Sequence, residues 1–122
     1  MKINIKGTHL ELTPAITAYI EKRMNGLDKF VNPEDTSVSV DFEVSKTTQH
    51  HQSGDIFCAE ATMHAGTDNF RAESSQADLY AAIDIVKDGI ARAITDNKKK
   101  KRTLVKRGGA ILKSIMKGFR RK

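Results

Sequence analysis

Apolar residues follow two spacings along this chain, and the alternation between them predicts its elements. Ile3 and Ile5 alternate with Lys2, Asn4 and Lys6, which predicts a short strand ending at Gly7. Thr13 then precedes Pro14: a side-chain acceptor for free amide groups, followed by a residue with no amide to satisfy, suits a helix start. Ile16, Ile20, Met24 and Leu27 recur at helical spacing, so this first helix is expected to reach about Phe30, where Asn32-Pro33-Glu34-Asp35 breaks it. Val38, Val40, Phe42 and Val44 alternate with polar residues, as on a strand with one buried and one wet face. Residues 47–55 read as a polar hairpin loop around Gly54. A third strand over Ile56–Ala65 places Phe57, Ala59, Ala61 and Met63 on one face. Gly66-Thr67-Asp68-Asn69 makes a tight turn, and Phe70–Ser74 a short fourth strand. Ser75-Gln76-Ala77-Asp78 resembles a capping box with Asp in place of Glu. Behind it Leu79, Ile83, Val86, Ile90 and Ile94 form one helical stripe reaching at least Asn97.

The order β-α-β-β-β-α predicts an α+β two-layer sandwich. Its four-stranded mixed sheet has the first two strands parallel through a right-handed crossover, and both helices cover one face. At 122 residues this is one domain, large enough to bury a core without disulfides or a structural metal. The lone Cys58 excludes a disulfide within the chain. No apolar run approaches the length of a membrane-spanning helix, and Met1–Lys6 lacks the apolar block of a signal peptide, so a cytoplasmic protein is expected.

The formal net charge of +6 conceals a segregation. Residues 98–122 hold eight Lys, four Arg and no acidic residue, a charge of +12. Residues 1–97 keep nine basic residues against all fifteen acidic ones, a charge of −6. An acidic body with a strongly basic arm points to a polyanionic partner, either nucleic acid or an anionic membrane surface.

Catalytic chemistry finds little support. His50-His51 sits in the predicted hairpin loop with no further ligand at metal-binding spacing, so no metal site is assigned. His64 falls on the wet strand face, and no His is placed by sequence to activate Cys58. Gly108-Gly109 follows no strand and reads as a hinge rather than a phosphate loop. Asp84 and Asp88 share a helix face, but Asp88 lies four residues before Arg92, the spacing of an ordinary ion pair. No enzyme activity and no cofactor are expected.

Binding is the stronger class. Lys22 and Lys29 fall opposite Ile16 and Ile20 on the first helix, and Arg92, Lys99 and Arg102 form an outward arc on the second. Two such arcs side by side, with a basic arm, match recognition of a phosphate backbone. With few aromatics, most at core positions, folded RNA fits better than a stacked single strand. In the arm, Ile111, Leu112, Ile115, Met116 and Phe119 form an apolar stripe among Lys113, Lys117 and Arg120. Docking on the body or a protein partner, folding against RNA, and lying on an anionic membrane all remain open for it. A general RNA chaperone is a third, weaker class.

Three stretches taken together resemble the bacterial ribosome hibernation-promoting factor, or ribosome-associated inhibitor, family. They are Met1–Gly7 with Leu10–Ile16, then Ala61-Thr62-Met63-His64, then Asp78-Leu79-Tyr80-Ala81-Ala82-Ile83-Asp84 followed by Ile90-Ala91-Arg92. The resemblance spans about residues 1–102 and sets them apart, as a ribosome-binding domain, from a basic amphipathic tail over 103–122. It implies a fold like that of double-stranded-RNA-binding domains and a non-enzymatic role. That role is to bind the small ribosomal subunit near the decoding centre, block tRNA and mRNA, inhibit translation and protect idle ribosomes under stress. It implies the subunit's rRNA as partner, ribosomal proteins as further candidates, no small-molecule substrate, and a monomer off the ribosome. Family contacts carried onto this chain fall on Lys22 or Arg23, on Lys87 and Arg92, and on Lys98, Lys99, Lys100, Lys101 and Arg102; Lys29 joins them from the helix-face reading. The Arg23 stem is expected to pack toward the sheet with its head outward. The long form of the family carries a second domain that pairs ribosomes. None is expected here, and the basic arm differs from the shorter extensions of other short members.

Overall fold

The computed structural model describes residues 1–31, 37–48 and 54–106, with the backbone alone at 48 and 102–106. In chain order the elements are β1 (Lys2–Thr8), α1 (Pro14–Asn25), a 3-10 turn (Gly26–Phe30), β2 (Ser39–Thr48), β3 (Asp55–Ala65), β4 (Asp68–Gln76) and α2 (Leu79–Lys106). The sheet order is β1-β2-β3-β4, with β1 parallel to β2 and the other pairs antiparallel. This is the α+β arrangement that the apolar spacing predicts.

Register explains why one face is dry. Ile3, Val40, Met63 and Phe70 lie side by side across the four strands, as do Ile5, Phe42, Ala61 and Ala72. Both helices cover these rows. Ile16, Ile20 and Met24 of α1 join Leu79, Ala82, Ile83, Val86, Ile90 and Ile94 of α2 in one buried cluster with the strand residues. Each large aliphatic side chain taken out of water there contributes roughly 1.5–3 kcal/mol. No charged or polar residue is buried among the described residues.

Local chemistry sets the element ends. The Thr13 hydroxyl accepts the Ile16 amide at 3.2 Å, which caps α1 just ahead of Pro14. Beyond Asn25 the helix tightens into the 3-10 turn at Gly26, a poor helix former, and this turn keeps Leu27 buried out to Phe30. His9, in the connection from β1 to α1, holds a left-handed φ of 56°.

Three local expectations need correction. β4 begins at Asp68, inside the predicted turn, and runs on to Gln76, because its ladder with β3 extends from the Ala65–Asp68 pair to the Phe57–Gln76 pair. Ser75 is therefore a strand residue opposite Cys58, with Oγ 3.1 Å from its Sγ, and the capping box does not form. Asp78 caps α2 instead: its carboxylate accepts the Tyr80 amide at 3.2 Å and its carbonyl accepts that of Ala82. Thr47 and Thr48 belong to β2 rather than to the loop, paired with Ile56 and Asp55. Third, the expected pairing of Asp88 with Arg92 is not made; the pairing carboxylate on that helix is Asp84, and its partner is on the other helix.

Candidate nucleic-acid interface

The two sides of the sandwich differ in charge. On the open sheet face, β2, β3 and β4 place Glu43, Glu60 and Glu73 in one row, with Asp41 on the same face. Like charges directly opposite each other on neighbouring strands repel. Neighbours offset part of this: Lys6 of β1 stands opposite Glu43 at the end of the row, with Lys2 on the same face, the Thr8 hydroxyl donates to Glu43 at 2.7 Å, and Arg71 lies 2.9 Å from Glu60 and 3.4 Å from Glu73. His64 sits on this face as a half-exposed residue between Asn69 (2.8 Å) and Asp41 (3.3 Å).

The helix side carries the basic residues that the sequence singles out. Lys22 is exposed on α1, and Lys29 is exposed on the 3-10 turn, where its Nζ stands 5.2 Å from the centre of the Phe30 ring. The switch to 3-10 geometry at Gly26 takes Lys29 off the helical spacing that placed it on one face with Lys22. Lys87 is half-buried on the α1 side of α2, its chain beside Gly26. Arg92 lies on the opposite flank of α2, exposed beside Ile85 and Glu73 of the β4 edge. The basic residues of α2 thus divide between the seam with α1 and the outer flank.

The lysine run divides in the same way. Lys98 donates through Nζ to the Phe30 carbonyl, tying α2 to the end of the 3-10 turn. Lys101 donates to Asp68 at 2.8 Å, and this bond is the main reason the Asp68 carboxyl sits below its ordinary value of 3.8; partial burial opposes the shift. Lys99 and Lys100 are exposed. The α2 backbone continues through Arg102 to Lys106, so the lysine run is helical. Residues 107–122, on which the membrane and protein-docking readings rest, lie outside the described residues, as does His50-His51.

Between the helices lies a polar seam that sequence reasoning missed. The Tyr19 hydroxyl donates to Asp84 Oδ1 at 2.6 Å, and Arg23 Nε is 2.9 Å from the same oxygen. That Nε is inaccessible to solvent, and it meets the carboxylate as a close ion pair rather than as a linear hydrogen bond. Tyr19 also meets Tyr80 edge-on, with ring centres 4.9 Å apart. The hydrogen bond to Asp84, helped by burial, raises the Tyr19 pKa above its ordinary value of 10.0. Tyr19 and Arg23, four residues apart, share one flank of α1, which was the available sign; nothing in the sequence showed which α2 residue would face them.

Among the described residues no group of His, Cys, Asp and Glu is placed to hold a metal, and no helix is long and apolar enough to cross a membrane. The face instead offers fixed cations to an anion.

Several known proteins resemble this chain. A ribosome hibernation promoting factor of Azotobacter vinelandii is 32% identical over 100 residues, covering 82% of this chain and 85% of the relative. One of Escherichia coli K12 is 31% identical over 100 residues, covering 82% and 96%. The N-terminal domain of Thermus thermophilus Protein Y superposes with a TM-score of 0.62 at 29% identity, covering 77% of this chain and 96% of that one. A ribosomal subunit interface protein from Coxiella burnetii gives 0.61 at 15% identity, covering 81% and 99%, a likeness of fold. The model of one family, described as Sigma 54 modulation protein / S30EA ribosomal protein, matches residues 3–102, and the chain belongs to that family.

Proposed function

We propose that this chain is a ribosome hibernation factor. It binds the small ribosomal subunit near the decoding centre, excludes tRNA and mRNA by occupancy, inhibits translation, and protects idle ribosomes under stress. The names of its relatives support the hibernation role. The observation that carries the binding mode is the charge polarity of the sandwich. Glu43, Glu60 and Glu73 line the sheet face, while Lys22, Arg23, Lys29, Lys87 and the Lys98–Lys101 run stand on or beside the helices. On the sheet face the carboxylates of Asp41, Glu43, Glu60 and Glu73 outnumber Lys2, Lys6 and Arg71, so a phosphate backbone is drawn more strongly to the helix side and the domain docks with its helices toward rRNA. Arg92, Lys99 and Arg102 extend the contact along α2. A rigid wedge held mainly by phosphates recognises the shape of folded RNA rather than its sequence.

Footprinting of rRNA on purified small subunits, with tRNA competition, tests this reading. Protection clustered around the decoding centre and displacement of bound tRNA are expected. A footprint confined to other regions, or undisturbed tRNA, contradicts it.

A further inference from the structure

We propose that Asp84, although negatively charged and set in a phosphate-binding face, is a positioning residue that strengthens anion binding by fixing the Arg23 guanidinium. The inference rests on the rRNA-binding reading above.

An unrestrained arginine loses much rotamer freedom when it grips a phosphate. Arg23 has lost part of it already. Its Nε is buried against Asp84 Oδ1, yet the side chain as a whole keeps 34% exposure. A guanidinium is planar, so anchoring Nε sets the direction of the two terminal nitrogens, which retain the donors for a two-pronged grip on an oxyanion. Asp84 is braced in turn. Tyr19 donates to the same carboxylate oxygen and is held edge-on by Tyr80. Tyr19 and Arg23 come from α1, and Tyr80 and Asp84 from α2, so the support stands on two packed helices rather than on a loop. Lys87 flanks the seam and supplies further positive charge.

Simple charge counting gives the opposite sign. Asp84 neutralises Arg23 and repels phosphate, so its removal should tighten binding. Asp84→Asn, a near-isosteric change that makes the face more positive by one charge, therefore decides between the two.

The experiment measures affinity of the full chain for purified ribosomes at several salt concentrations, with a thermal melt of each variant. Asp84→Asn is expected to bind about tenfold more weakly, the scale of one charge-assisted hydrogen bond. Its log affinity is expected to fall less steeply with log salt, by about one phosphate contact. In the Arg23→Gln background the same change is expected to have no further effect, since the residue it positions is gone. Arg23→Lys does not restore binding, because an ammonium has no second edge to anchor. Tyr19→Phe keeps every charge, and a loss of about threefold is expected from removal of a single neutral donor. This variant decides the matter should Asp84→Asn fail to fold. Affinity equal to or tighter than wild type in Asp84→Asn, a loss that persists in the Arg23→Gln background, or an unchanged Tyr19→Phe overturns the inference. Failure of the wild-type chain to bind ribosomes overturns the parent reading instead.

Discussion

Gly89 of α2 lies so close to Ala72 of β4 that a β-carbon at position 89 would stand 2.9 Å from the Ala72 β-carbon. Neither neighbour is the free end of a flexible side chain, so the helix and the strand would have to separate. Overpacking of this kind costs about 1–3 kcal/mol, and the helical preference of alanine over glycine returns at most about 1 kcal/mol. Gly89→Ala is therefore expected to lower stability in chemical denaturation, by up to about 2 kcal/mol once the helical return is taken off. A stabilised variant would show that α2 sits farther from the sheet.

The cap on α1 makes a second prediction. Thr13 accepts the Ile16 amide, and Thr13→Ala leaves that donor to water. A loss of about 1 kcal/mol is expected, and Thr13→Ser is expected to recover most of it. Denaturant midpoints at constant slope measure both.

The tie from Lys101 to Asp68 predicts a pH effect. A carboxyl whose folded pKa lies below its unfolded value stabilises the fold at pH above the unfolded value, and this contribution is lost as the pH falls through the folded one. Since Asp68 is held below 3.8, the tie is complete at neutral pH and weakens only in acid below about pH 4. An NMR titration of the Asp68 carboxyl is expected to give a midpoint below that ordinary value, moving up toward it in Lys101→Gln. A wild-type midpoint at or above it contradicts the contact.

The lysines of the run differ in partner, so their neutral variants should differ too. Lys98→Gln removes the bond to the Phe30 carbonyl and is expected to lower both stability, by about 0.5–1.5 kcal/mol, and ribosome affinity. Lys100→Gln is expected to lower affinity while leaving the melting temperature in place. Equal melting temperatures for the two variants would show that Lys98 does not hold the 3-10 turn.

Much of this architecture was legible because apolar spacing is a direct imprint of burial. Ile16, Ile20 and Met24, and the Leu79–Ile94 stripe, all sit in the core as their spacing predicted. The misreadings came where one local preference outweighed another. Ser75 carries a capping residue's side chain, but the β3–β4 ladder claims its backbone, and Asp78, three residues on, is equally able to cap. The site was less legible for a different reason. The sequence identified Arg23 and Asp84 separately, and no spacing rule joins residues on two helices; only the packing of α1 on α2 brings them to 2.9 Å. Equally, nothing in the sequence set Lys98 and Lys101 apart within the lysine run, and only their direction around α2 shows that they bond to the Phe30 carbonyl and to Asp68.

The central claim is that a basic helix face docks this chain on ribosomal RNA through phosphates. Co-sedimentation with purified ribosomes across a salt series tests it most directly. The account predicts tight binding at low salt, log affinity falling linearly and steeply with log salt, and a shallower slope when Lys98–Arg102 are replaced by neutral residues. Binding absent at low salt, or an affinity indifferent to salt and to those substitutions, would contradict it.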